Sequence, residues 1–333
     1  MTATNPFRTA NSMMTAMTGS VAGKNIALLN VGSFGGYSNL LNNTYIFSGS
    51  TNNWTNLSSA PIDPNGPLPC RTNGVFSWDG NNGFLMGGNG SSSSTGILSD
   101  VWILGKTSNT WTQVGGVGFS LTVPYGRFNA EGAFLNGASP GVLIFSGQVM
   151  NSLIEETWLW TSTSTSGTFA QISVANGVGP AARTGHCLVG NTPAGSTPGT
   201  VVLFSGQGTN SQYNDTWTYT ASAGWTLANL TGASPSIRSN ACMCYDTAGS
   251  RWILFSGENA YGYLTDTWTL NAGVTAWTQL SVPAGTGPAG RIGASFAYDA
   301  TSGYATMYGG QTSTAGYTCS ETWQLQSNTW VQL

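Results

Sequence analysis

The sequence predicts an all-β chain folded as a six-bladed β-propeller of four-stranded antiparallel blades. Three observations predict it. A unit of about 55 residues recurs six times along the 333 residues, marked by the arginines Arg8, Arg71, Arg127, Arg183, Arg238 and Arg291. Each unit holds short runs rich in Val, Ile, Thr, Phe and Trp, bounded by Gly, Pro, Asn and Asp, which is strand-and-turn chemistry. No segment carries an apolar period of 3.6 residues over helix length.

The unit reads the same way in each copy. After the arginine comes a run of small and apolar residues, such as ACMCYD at 241–246 and ASFAYD at 294–299. A polar turn follows, then a second apolar run ending in glycine at Gly88, Gly147, Gly206, Gly257 and Gly310. A loop leads to an acid-x-aromatic element: Asp100-Val-Trp, Glu156-Thr-Trp, Asp215-Thr-Trp, Asp266-Thr-Trp and Glu321-Thr-Trp, with Asn43-Thr-Tyr as its variant. A further aromatic opens the fourth strand at Trp54, Trp111, Phe169, Trp225, Trp277 and Trp330. A lone four-stranded sheet has two apolar faces, and radial packing of sheet on sheet buries both. One propeller domain over residues 1–333 follows, with blades at about 8–57, 71–114, 127–172, 183–230, 238–280 and 291–333. The chain then starts on a first strand and ends on a fourth, so the ring is expected to close by packing, unless residues 1–7 add to a neighbouring blade.

With the arginine anchor, the paired glycines and the aromatics on the third and fourth strands, the chain resembles the kelch family, including the propeller domain of galactose-oxidase-like proteins. Arg183-Thr-Gly-His186, Gly87-Gly88 and Gly309-Gly310 are the best copies, and the resemblance covers residues 8–333. The chain departs from it with Ser-Gly at 146–147, 205–206 and 256–257, and in an irregular first unit where Gly32 or Gly35-Gly36 ends the second strand. The resemblance implies that arginine and acid lie at one end of each blade. Two readings follow. In one, Asp100, Glu156, Asp215, Asp266 and Glu321 form ion pairs with the arginines and hold the blade ends. In the other, all six arginines rim a ligand-binding mouth with Gln148, Gln207, Glu258 and Gln311, near Tyr125, Tyr213, Tyr261, Tyr263 and Tyr317. Arginines near this position help form a ligand pocket in related kelch propellers, and such a mouth suits sugars or carboxylated ligands.

Other chemistry is sparse. A single histidine, His186, is too few for a copper centre of the galactose-oxidase kind, and the five cysteines have no zinc spacing. Adjacent strand residues point to opposite faces, so His186 and Cys187 make no dyad. The off-repeat acids Glu131 and Glu258 are not singled out as a glycosidase pair. No catalytic residue and no cofactor is expected. The net charge is −3 without a basic stripe, so nucleic acid is not an expected partner. No apolar run approaches the ~18–20 residues of a membrane span, and the N-terminus lacks the pattern of a Sec signal. Only 6% of residues are charged, a composition common in secreted and virion-exposed β-proteins.

The functional expectation is a non-catalytic binding or structural module on a virion or extracellular surface: a phage tail, fibre or capsid-surface component. Its partners are then other structural proteins of an assembly, or a surface receptor or glycan. The alternatives are a cytoplasmic kelch scaffold that binds a partner protein, and a carbohydrate-active propeller enzyme.

Overall fold

The computed structural model describes residues 13–21, 24–30, 43–57, 68–80, 82–90, 96–105, 108–116, 124–163, 166–174, 178–191, 199–283, 285–312 and 318–333. Their strands form six four-stranded antiparallel sheets, each a meander whose strands are neighbours in chain order. The first sheet runs Met13–Val21, Lys24–Asn30, Asn43–Ser48 and Asn53–Asn56. The second begins at Val75–Trp78, the third at Glu131–Leu135 and the fourth at Cys187–Gly190. The fifth begins at Cys242–Asp246 and the sixth at Ser295–Asp299, ending with Thr329–Gln332.

First strands pack on first strands around an axis, with Met13–Val21 lying between Val75–Trp78 and Ser295–Asp299. An apolar core fills each sheet-to-sheet interface. Phe84, Val142, Ile144 and Trp160 lie between the second and third sheets, and Phe204, Met243, Trp252 and Leu254 between the fourth and fifth. Between the sixth sheet and the first, Ala297 and Tyr308 meet Tyr45, Phe47 and Trp54. The ring therefore closes by side-chain packing, and no described strand is shared between the chain ends. Residues 1–7 and the Gly32 and Gly35-Gly36 alternatives lie outside the described residues.

The expectation of six blades is corrected to five full blades, all from Arg71 onward. The first sheet has four strands but not the unit that makes a full blade. Asn43 stands where the others have an acid and Tyr45 where they have Trp, so the carboxylate that fixes the other blade ends is missing. Arg8 is outside the described residues.

A second set of contacts runs around the ring. The fourth-strand indole donates its N–H to the threonine of the acid-Thr-Trp element in the preceding sheet. Trp225 reaches Thr157 Oγ1 at 2.9 Å, Trp277 reaches Thr216 at 3.1 Å and Trp330 reaches Thr267 at 3.0 Å. Trp111 reaches Thr44 at 2.9 Å, and Trp54 crosses the closure to Thr322 at 3.2 Å. The remaining interface lacks both partners together: Val101 replaces the threonine, Phe169 replaces the tryptophan, and both pack in the same apolar cluster. A buried indole N–H without an acceptor is unfavourable, so losing both polar groups is better than losing one.

This pairing predicts a coupling. Phe169→Trp and Val101→Thr should each destabilise by about 1–3 kcal/mol, since each introduces a polar group with no partner. The double variant should recover about 1 kcal/mol relative to the sum, measured by urea unfolding. Simple additivity would show that the indole and hydroxyl do not meet.

Candidate functional site

The chemistry-bearing residues gather at one end of the blades, where the five described arginines are buried. Arg71, Arg127, Arg183, Arg238 and Arg291 have side chains no more than 1% exposed. Each guanidinium meets three kinds of acceptor. Its Nε donates to the carbonyl two residues back, as from Arg183 to Ala181 at 2.9 Å and from Arg291 to Ala289 at 3.0 Å. One Nη donates to the carbonyl of the residue before the second glycine: Gly87, Ser146, Ser205, Ser256 or Gly309. The fork then closes on the acid of the same blade. Arg183 binds both oxygens of Asp215 at 2.6 and 2.8 Å, and Arg238 binds both oxygens of Asp266 at 2.7 Å. Arg71 grips Asp100 in the same way, whereas Arg127 and Arg291 each hold one oxygen of Glu156 and Glu321, at 2.7 and 2.9 Å.

The acid has a second donor. Residues two apart on a strand share a face, so the tryptophan of acid-x-Trp turns its indole N–H onto its own acid. Trp217 reaches Asp215 at 2.8 Å, Trp158 reaches Glu156 at 2.9 Å and Trp323 reaches Glu321 at 3.0 Å. Burial alone would raise the Asp266 carboxyl; the hydrogen bonds and charge of Arg238, with the Trp268 N–H, outweigh it and hold it below the usual carboxylate range. Glu156 and Glu321 are lowered on the same balance, with Trp158 or Trp323 and the arginine opposing burial.

The node also ties each blade to the next. Both residues of the Gly-Gly or Ser-Gly pair have positive φ, such as 60° at Ser146 and 99° at Gly147. This turns the amide outward, and the Gly88, Gly206 and Gly257 N–H groups donate to the carbonyls of Arg127, Arg238 and Arg291 in the following blade. A Cβ on Gly257 would meet the Ser239 carbonyl oxygen at 2.8 Å, so the second position excludes side chains. The first position is serine in three blades; Ser205 Oγ is buried without a partner, but at the other two the hydroxyl bonds across the joint. Ser146 Oγ accepts the Arg183 amide at 2.8 Å, and Ser256 Oγ accepts the Arg291 amide at 2.7 Å. The Ser-Gly departures at 146–147 and 256–257 thus reinforce the joint.

Gln148, Gln207, Glu258 and Gln311 are half-buried at this same end, their backbones bridged to the residues after the arginines: Phe128, Thr184, Ser239 and Ile292. The amides of Gln148 and Gln207 bond to Met150 and Gly208 in their own loops, and Glu258 accepts from Asn240 at 3.0 Å. Tyr213 lies under Arg183, 4.1 Å from ring centroid to Cζ. The five described arginines are therefore struts turned onto carboxylates and carbonyls of their own blades. Arg8 and Tyr317 lie outside the described residues.

His186 is buried against Phe145 and both its nitrogens lack hydrogen-bond partners. Burial, and then the Arg183 charge, lowers its pKa to about 3, so it stays neutral. The Cys187 thiol points to the Ala241 carbonyl, and burial pushes it well above its usual range. Burial likewise pushes Cys242 up to about 12. GPAARTGHC at 179–187 is one joint of the ring.

Sequence reasoning missed the indole-to-threonine ring and the indole clamp on each acid. Both were encoded: the threonine recurs inside acid-Thr-Trp, and the one unit without it, at Val101, precedes the one unit with Phe169. A family model described as the KLHDC2/KLHL20/DRC7 Kelch-repeats domain matches residues 138–333. No curated protein matches the chain.

Two outcomes follow from the joint. Arg183→Ala leaves Asp215 and the Ser205 carbonyl without their partner and should lower the unfolding free energy by about 3–5 kcal/mol, read by chemical denaturation. The depressed Glu156, Asp266 and Glu321 carboxyls add stability that is present above the ordinary carboxylate pKa and lost as pH falls through their folded values. A thermal unfolding series should therefore show a fall in Tm that begins below about pH 4, and Asp266→Asn should flatten it.

Proposed function

We propose that this chain, which belongs to the kelch-repeat family, is a non-catalytic module that binds a partner protein through the blade end carrying the arginine joints. The observation that carries the reading is the exposure of large apolar side chains on that end. Tyr125 is 77% exposed, Met150 66% and Tyr261 97%. Tyr125 lies two residues before Arg127, while Met150 and Tyr261 occupy the turns of the hairpins Gln148–Val149/Ser152–Leu153 and Glu258–Asn259/Gly262–Tyr263. Aromatic and methionine side chains are enriched at protein interfaces, and the tyrosines lose little rotamer entropy on contact.

The buried joints support this division of labour. With the guanidinium groups committed to the scaffold, partner recognition falls to the hairpins, which can vary without loosening the ring. The low proportion of charged residues supports a place on a virion or cell surface, as a tail, fibre or capsid-surface component attached to a protein or glycan.

The test compares capture by the wild type with capture by a Tyr125→Ser, Met150→Ser, Tyr261→Ser triple variant. Leu227→Ser, on the outer strand Gly224–Leu227, is the control. The triple variant should lose at least tenfold in partner affinity with an unchanged Tm, and the control should lose none. Equal binding by all three proteins would place the interface elsewhere.

A further inference from the structure

The six first strands line a cavity of about 560 Å³ on the propeller axis, within the size range of small-molecule sites. Its walls include Met14, Phe134, Ala241, Met243 and Phe296. Among the described residues that line it, Glu131 is the one charged side chain. The repeat shows how unusual that is. Four residues after each arginine stand Val75, Glu131, Cys187, Cys242 and Ser295. Val75, Cys187, Cys242 and Ser295 are buried, whereas Glu131 is exposed and is the one of the five that brings a charge to the cavity.

We propose that this axial cavity is a binding site for a small amphipathic monocation, whose charged end pairs with the Glu131 carboxylate while its apolar body lies against the methionine and phenylalanine walls. Among the described residues the carboxyl has no cationic partner. The titratable groups that line the cavity with it are His186, Cys187, Cys242, Cys244, Tyr245 and Tyr298, and none supplies a positive charge. His186 is neutral, the three thiols are protonated, and burial raises Tyr298 to about 12. Arg183, whose charge reaches His186, is committed to Asp215. Desolvation raises the Glu131 carboxyl to about 8, even though its surface is open to the cavity space. A bound cation supplies a counter-charge and displaces the proton. A guanidinium or ammonium head also donates directly to the carboxylate, the stronger kind of hydrogen bond.

The experiment is calorimetric titration of the full chain with benzylguanidinium, a permanent cation, against benzylurea, its neutral isostere. The wild type should bind the cation and not the urea, with an affinity that rises as pH approaches 8 and levels off above it. Glu131→Gln should lose at least tenfold, while Glu155→Gln, which removes an exposed acid elsewhere, should lose none. The site is overturned by three results: no heat with the cation, equal binding of cation and urea, or equal losses in the two variants. If Glu131→Gln does not fold, the Glu131 carboxyl 13C resonance of the wild type decides: movement on adding the cation supports the site and a static resonance refutes it.

Discussion

A buried arginine fork, closed on a carboxylate of its own blade and tied through its backbone to the blade before, is the contact on which the rest of this propeller depends. A guanidinium taken wholly out of water is tolerable only when its donors are met, and here a carboxylate and two carbonyls meet them. Those acceptors come from three stretches of each unit: the turn before the first strand, the end of the second and the start of the third. One side chain thus fixes three chain segments at once. Because the arginine carbonyl and amide bond to the Gly-Gly or Ser-Gly pair of the preceding blade, the same residue also sets the spacing of neighbours.

The apolar interfaces supply bulk and the indole-to-threonine bonds supply registry. Hydrophobic burial is non-directional, so two sheets packed face to face need something that fixes how far one slides along the other. An indole N–H directed at one hydroxyl of the preceding sheet does so at five interfaces, including the closure between Trp54 and Thr322. The interface of Val101 and Phe169 follows the same rule by exchanging both members for apolar ones.

Much of this was legible in the sequence, because a repeat displays its constraints several times over. The arginine, the acid and the glycines recur at fixed places, and the need to bury both faces of each sheet points to radial packing. The partners of those residues were only half visible. Ion pairing of Arg183 with Asp215 was one of two readings that the kelch resemblance implied, but the second grip by Trp217 depends on the pleat that puts both on one face. The serines at 146 and 256 read as departures from the family, and their purpose emerged only with their hydroxyls against the next arginine's amide. Glu131 was visible as an off-repeat acid, yet its solitude inside a cavity depends on all six first strands together. The first sheet was hardest to read, since Asn43 and Tyr45 remove the polar contacts that make the other copies recognisable.

The most direct test of the arginine joint as the organising contact is native-state amide hydrogen exchange. The Gly206 and Gly257 amides, bonded to the Arg238 and Arg291 carbonyls, should exchange only through global unfolding, with protection equal to that of the core strands Val201–Gln207 and Arg251–Phe255. Exchange of these two amides as fast as that of the exposed hairpin turn at Tyr261 would show that the joints open locally, and would contradict the account.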